Sequence, residues 1–148
     1  MAKDVLNKTK TQLAINTMNS IGRANNFLQE KINSYVKTTS LTPSQFAIII
    51  ILGNSGPLKI SEIYKQMLIK SGNKTMILDS LEKINFVNRV FSKNDRREII
   101  IELTSTGQKF FNDNIANYYN FVEKTVSSLS QNEQKDIVNL TKILAGEK

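Results

Sequence analysis

The sequence contains no cysteine and no histidine, two residue types that recur at redox centres, zinc sites and catalytic sites. Their absence excludes disulfide chemistry, thiol catalysis, thiol redox sensing and zinc sites with histidine ligands. Acid–base catalysis by histidine is excluded as well. An enzyme that works with carboxylates alone remains possible.

Long apolar segments are also lacking. The longest apolar run, from Phe46 to Leu52, is far shorter than the roughly 18 residues that a membrane-spanning helix needs. The opening stretch MAKDVLNKTK has no signal-peptide core. We expect a soluble cytoplasmic protein of 148 residues, which is the length of one ordinary domain and enough for a core without disulfides or metals.

Positive charge is abundant but unevenly distributed. The formal net charge is +7, and residues 1–109 carry 16 basic against 8 acidic side chains. Residues 110–148 carry 4 basic and 5 acidic side chains. A basic body of this kind suggests an anionic partner such as nucleic acid. A lysine- and asparagine-rich genome would produce a similar composition, so charge alone does not decide.

Two helices are predicted in the first third of the chain. Apolar residues at helical spacing predict a long helix over 8–37, of a kind that often packs against another chain. The capping box Thr42-Pro-Ser-Gln45 starts a second helix that continues through FAIIIIL and stops at Gly53, before a loop at 53–57. The branched residues of IIII also suit a strand, but the cap favours a buried helix.

The middle of the chain predicts two short helices and a β-hairpin. A helix covers about 60–68, and a second one, capped by Ser71-Gly72-Asn73, continues to about Ile84. Asn85 suits the left-handed position that ends a helix. The period then changes to two, because FVNRVF and EIIIEL flank the turn SKND.

Two further helices complete the chain, one opening at Ser105 and one behind the capping box of Ser130 and Glu133. The predicted fold class is mainly α with a small β-hairpin wing. We expect a single domain over 1–148. In it, a winged helix-turn-helix region at 41–107 is flanked by dimerisation helices at 1–38 and 108–148.

The start of the second helix of the helix-turn-helix is the first candidate DNA-binding segment. Ser71, Asn73, Lys74 and Thr75 place small hydrogen-bonding groups and one cation in the turn that enters a major groove in this motif. An ordinary solvated helix start also uses such residues.

The hairpin tip is the second candidate segment. Arg97 would enter a narrow minor groove, where the negative potential is enhanced, and Asp95 would hold its guanidinium in place. Arg96 and Lys93 would meet phosphates. A surface ion pair would explain one Asp–Arg neighbour but not two arginines at the tip of a basic hairpin.

Residues 41–111 resemble the MarR family of bacterial winged-helix transcription regulators. The matching segments are LTPSQFAIIIIL (41–52), ISEI (60–63), KTMILDSLEKINFVNRV (74–90), NDRR (94–97) and ELTSTG (102–107). The family's Asp-Lys/Arg-Arg wing is matched by Asp95, Arg96 and Arg97, its Leu-Thr-x-x-Gly by Leu103, Thr104 and Gly107, and its Arg after the recognition helix by Arg89. The departures are Lys59, Lys74, Met76 and Asn85, which stand where the family more often has Ser or Thr, an apolar residue, Arg and Gly.

The resemblance implies a homodimeric repressor that binds a pseudo-palindromic operator on double-stranded DNA without a cofactor. It also implies release by a small-molecule effector, aromatic or phenolic by default, bound between the dimerisation helices and the winged region. A regulator without an effector is the alternative. Ile21, Phe27, Phe46 and Ile50 are the candidate pocket residues, and ordinary core packing is the alternative for each.

Two other functions compete with a DNA-binding regulator. A winged helix could bind an acidic protein partner through its basic face instead of specific DNA. An enzyme could use Glu98 or Glu102, but neither residue has a nucleophile, a base or a cofactor loop beside it in the sequence.

Overall fold

The computed structural model describes residues 2–67, 74–92 and 98–147. The described elements are, in order, α1 (Ala2–Val36), α2 (Pro43–Ser55), β1 (Leu58–Lys59), α3 (Ile60–Gln66), α4 (Lys74–Lys83), β2 (Val87–Phe91), β3 (Ile99–Leu103), α5 (Ser105–Thr125) and α6 (Gln131–Ala145). The contacts within the chain divide it into two units, Met1–Ser40 and Leu41–Lys148. The mainly helical fold with a small β-sheet is confirmed.

The first unit consists of α1, which confirms the predicted N-terminal helix and starts earlier than expected. Gly22 lies inside it, and a methyl group added there would meet no atom within 4 Å. Several large apolar side chains of α1 are exposed: Leu13, Ile15, Met18, Ile21, Phe27 and Leu28. A single helix cannot cover such a face by itself.

The core of the second unit is built on α2. Thr42 Oγ1 accepts a hydrogen bond from the Gln45 N–H, and the Gln45 side chain accepts one from the Thr42 N–H, so the predicted capping box is confirmed. Phe46, Ile48, Ile49 and Leu52 of α2 are buried. The IIII segment is therefore helical, because the cap and burial on most sides outweigh the preference of branched residues for strands.

The expected stop of α2 at Gly53 is wrong, since the helix continues to Ser55 and ends at Gly56, where φ is 75°. Gly53 has a packing role instead. A methyl group at this position would lie 2.1 Å from the ring of Phe111, a buried residue of α5. The glycine allows α5 to approach α2 closely, which a reading of local turn signals does not reveal.

The sheet is antiparallel with the strand order β1-β3-β2. The pairing of β2 with β3 confirms the predicted hairpin, and it places Arg89 opposite Ile101. The third strand was not predicted. Leu58 and Lys59 pair with Ile101 and Ile100, and a strand of two residues has no periodicity to detect.

The segment Leu103-Thr-x-x-Gly107 connects the start of α5 to the chain that leaves α4 through hydrogen bonds. Asn85 adopts the predicted left-handed conformation, with φ at 59°. Thr104 Oγ1 donates to the Asn85 carbonyl at 2.6 Å and accepts from the Gly107 N–H at 3.0 Å. The Thr104 N–H donates to the Phe86 carbonyl at 3.1 Å. One threonine therefore caps α5 and fixes the chain that leaves α4.

Helix α6 begins at the predicted capping box of Ser130 and Glu133. A hydrogen bond that the Ser130 side chain donates to the Glu133 carboxylate, and then the one from the Ser130 N–H, hold the pKa of the Glu133 carboxyl below its usual value. An aromatic cluster links α2 to α5, because the Phe46 ring lies 5.2 Å from the Tyr118 ring and 6.4 Å from the Phe110 ring. No residue of α6 is buried within this chain.

Two further observations concern function classes. Among the residues described, no helix combines the length and apolar character needed to span a membrane. Within residues 2–67, 74–92 and 98–147, no three acidic side chains cluster as metal ligands would.

Candidate nucleic-acid interface

Helix α4 occupies the position of the recognition helix in the helix-turn-helix. Leu78 and Leu81 hold it in the core and are 1% and 0% exposed. Gln45 Nε2 of α2 donates to Ser80 Oγ at 2.8 Å, and Ser80 Oγ donates to the Ile77 carbonyl at 2.7 Å. The polar contact complements the apolar anchors and fixes the rotation of α4 about its axis.

The predicted major-groove residues lie at the start of α4. The helix begins at Lys74, and Thr75 in its first turn is exposed. Ser71 and Asn73 lie outside the described residues. The assignment of these four residues to DNA contacts stays a prediction.

Arg89 of β2 forms ion pairs with two carboxylates on α4. Its Nη2 lies 2.6 Å from Asp79 Oδ1 and its Nη1 lies 2.8 Å from Glu82 Oε2. The Arg89 side chain is 27% exposed, and the two acids are 52% and 41% exposed. The two Nη atoms of one guanidinium therefore each bind a carboxylate, and these contacts connect the recognition helix to the sheet.

The charges of Arg89 and Asp79 also affect the pKa of Tyr64 in α3. Burial raises the pKa of its hydroxyl, while the positive charge of Arg89 lowers it and the negative charge of Asp79 raises it further. Helices α3 and α4 and strand β2 thus contribute to one electrostatic cluster. Its net effect is to remove free negative charge from α4.

Sequence reasoning matched Arg89 to the family but assigned no role to it. A signal was available, because Asp79 and Glu82 are three residues apart and so lie on one side of a helix. Two acids on a helix that faces phosphates would oppose binding. A nearby arginine in the next strand could have been expected to neutralise them.

The strands carry the wing. The Ser92 N–H donates to the Glu98 carbonyl at 2.9 Å, which closes the strand pair at the two residues that flank 93–97. Lys59 Nζ lies 2.7 Å from Glu98 Oε1, so Glu98 has an ion-pair partner. The predicted wing residues Lys93, Asp95, Arg96 and Arg97 lie outside the described residues.

Lys59 stands at the start of α3, where Ser or Thr would supply a side-chain cap that lysine does not. A lysine side chain offers no acceptor for the first N–H groups of α3. Glu62 supplies half of a capping box by accepting from the Lys59 N–H at 2.9 Å. The lysine side chain is used for the contact with Glu98 instead.

The four candidate pocket residues belong to different units. Ile21 and Phe27 of α1 are 39% and 48% exposed, and Lys31 Nζ lies 5.4 Å from the centre of the Phe27 ring. Phe46 is buried in the core of the second unit, and Ile50 is half-buried there. Core packing accounts for Phe46, and an effector pocket stays a prediction.

Comparison with known proteins agrees with this geometry. Residues 41–99 match the MarR family. The HTH-type transcriptional regulator YfiV of Bacillus subtilis is 30% identical over 77% of this chain and 71% of its own length. The HTH-type transcriptional repressor MdtR of the same organism is 29% identical over 80% of this chain and 76% of its own.

A solved structure shares the fold. Sco3205, a MarR family transcriptional regulator from Streptomyces coelicolor in complex with DNA, superposes with a TM-score of 0.76 at 20% identity, over 87% of this chain and 83% of that one. The relatives are transcriptional regulators, which removes the carboxylate enzyme as a rival. The winged helix, the capped α2 and the Thr104–Gly107 junction are therefore those of a DNA-binding transcriptional regulator, and this chain belongs to the MarR family.

Proposed function

We propose that the protein is a homodimeric repressor that binds a pseudo-palindromic operator and is released by a small-molecule effector. The observation that carries the DNA-binding surface is the pairing of Arg89 with Asp79 and Glu82. Together with Lys74 and Lys83 of α4, the positive charge of Arg89 outweighs the two negative charges of the recognition helix. The basic excess of residues 1–109 can then attract the phosphate backbone.

The proposed contacts fall on two segments. Lys74, Thr75, Ser71 and Asn73 contact base edges and phosphates in the major groove, as the first turn of a recognition helix does. Arg97, oriented by Asp95, enters the minor groove, and Arg96 and Lys93 contact phosphates. Sco3205, which shares the fold, was solved in complex with DNA, and this supports DNA binding by the fold.

Exposed apolar side chains support the homodimer. Helix α6 exposes Ile137, Val138, Leu140, Ile143 and Leu144, and α1 exposes six more large apolar residues. Contiguous apolar faces of this kind usually mark protein–protein interfaces. A two-fold dimer would place the recognition helices on half-sites about one helical turn of DNA apart.

Repression is supported by the relative MdtR, which is named a repressor. Release by an aromatic or phenolic effector rests on the resemblance to the family. Ile21, Phe27, Phe46 and Ile50 remain the residues proposed to line its pocket.

A titration followed by fluorescence anisotropy tests DNA binding. The protein is titrated onto duplex DNA from its own promoter region at several salt concentrations, with a scrambled duplex as competitor. Tight binding that prefers the promoter and weakens steeply with salt supports the proposal. Weak binding to both duplexes favours a protein-interaction module, and selection of sites from genomic fragments then tests for a distant operator.

Arg97→Ala is expected to weaken operator binding by more than about 1 kcal/mol, because it removes the cation proposed for the minor groove. Thermal unfolding and dimerisation should stay nearly unchanged. Lys109→Ala is the control, since it removes one positive charge from an exposed ion pair with Asp113 on α5. Equal affinities of wild type and Arg97→Ala would contradict the role of the wing.

Leu140→Glu is expected to raise the dissociation constant of the dimer about tenfold, because it places a charge on the exposed apolar face of α6. Sedimentation velocity over a concentration series measures the effect. Asn139→Glu is the matched control. Asn139 is exposed, and the substitution adds the same charge one residue away from Leu140. A wild-type protein that sediments as a monomer at all concentrations would refute the homodimer.

A further inference from the structure

We infer that Met76 is a specificity-determining residue that reads the methyl groups of thymines in the major groove of the operator. The inference deepens the proposed function and rests on it.

Met76 lies on the side of α4 that faces away from the core. It is the third residue of α4, and successive residues of a helix are about 100° apart. Met76 therefore lies on the side opposite the buried Leu78, and its side chain is 62% exposed.

The charges beside Met76 favour approach to DNA. Asp79 follows it by three residues on the same side of α4, and its carboxylate is paired with Arg89 at 2.6 Å. Lys83 continues this side of the helix. Within the part of α4 that the structure describes, the acid beside Met76 is thus paired with a cation and repels the phosphates less.

The chemistry of methionine selects one feature of the groove. A thioether is a weak acceptor and has no donor, so Met76 cannot form the paired hydrogen bonds that read guanine or adenine. The thymine methyl is the apolar group that base pairs display in the major groove. A flexible methionine can adapt to a methyl group and remove both surfaces from water.

Deoxyuridine tests the contact directly, because it pairs as thymine does and lacks only the methyl group. An operator is first obtained by selection from random duplexes. Each thymine is then replaced singly by deoxyuridine, and affinities are measured by anisotropy for wild type, Met76→Ala, Met76→Leu and Thr75→Ser. The substituted side chains are exposed, and thermal unfolding of each variant verifies the fold.

We expect wild type to lose about fourfold in affinity at one or two thymines of each half-site, the effect of one buried methyl group. Met76→Ala should bind the thymine and deoxyuridine duplexes equally at those positions. Met76→Leu should keep the discrimination. Thr75→Ser should keep it too, which separates Met76 from the methyl group of the neighbouring threonine.

Three results would overturn the inference. Specific binding with no sensitivity to any thymine methyl would refute it and leave the proposed function standing. Equal discrimination by wild type and Met76→Ala would assign the methyl contact to another residue. Failure to select any specific duplex would remove the proposed function itself, and a protein partner would then be the better explanation of the exposed methionine.

Discussion

Arg89→Gln is expected to weaken operator binding about thirtyfold at moderate salt, the largest loss of affinity that we predict for a single substitution. The change removes a cation and leaves Asp79 and Glu82 charged and unpaired on the recognition helix. Each charge close to phosphates contributes on the order of 1 kcal/mol through water. Anisotropy titration with the operator measures the effect.

Stability should change much less in this variant. Both ion pairs are partly exposed, and pairs of that kind each contribute at most about 1 kcal/mol. Lys109→Gln is a matched control, since it breaks the exposed pair between Lys109 and Asp113 with the same change of net charge. That control should bind the operator nearly as wild type does.

A triple variant separates charge from anchoring. Arg89→Gln combined with Asp79→Asn and Glu82→Gln has no carboxylate left to repel the phosphates, and its net charge exceeds that of wild type by one. We expect its affinity to return to within a few fold of wild type. A triple variant as weak as Arg89→Gln would show that Arg89 acts by holding α4 against the sheet instead.

Gly107→Ala is expected to lower the free energy of unfolding by about 3 kcal/mol, the upper part of the range for overpacking a core. A methyl group at residue 107 would lie 2.0 Å from the Phe86 carbonyl oxygen. That oxygen cannot move away cheaply, because it accepts the hydrogen bond from the Thr104 N–H. Urea unfolding followed by circular dichroism measures the change.

Gly22→Ala is the opposite case of the same substitution. Residue 22 lies within α1, and an added methyl group has open space around it in the chain. Alanine is favoured over glycine in a helix by about 0.5–1 kcal/mol, so this variant should be at least as stable as wild type. Equal destabilisation by both substitutions would contradict the steric explanation for Gly107.

Features that depend on neighbouring residues could be predicted from the sequence. The caps at Thr42 and Ser130 and the left-handed Asn85 are decided within a few residues, and each is confirmed. The pairing of β2 with β3 followed from alternation of apolar residues and a short turn.

Features that depend on distant contacts could not be predicted in this way. Gly53 looks like a helix stop in sequence, but the ring of Phe111, 58 residues later in the chain, decides its role. Strand β1 exists because β3 offers it an edge. The two acids of α4 and the arginine of the next strand are visible in the sequence, but the ion pairs of Arg89 also require that β2 return beside α4.

Strand β1 has a mechanical consequence for regulation. It leads into α3 without an intervening loop and is paired with β3, while Arg89 fastens β2 to α4. Shifting the sheet alone would break the β1–β3 hydrogen bonds and the contact between Lys59 and Glu98. We therefore expect the sheet, α3 and α4 to move as one rigid body, so that the proposed release from DNA would displace all three together.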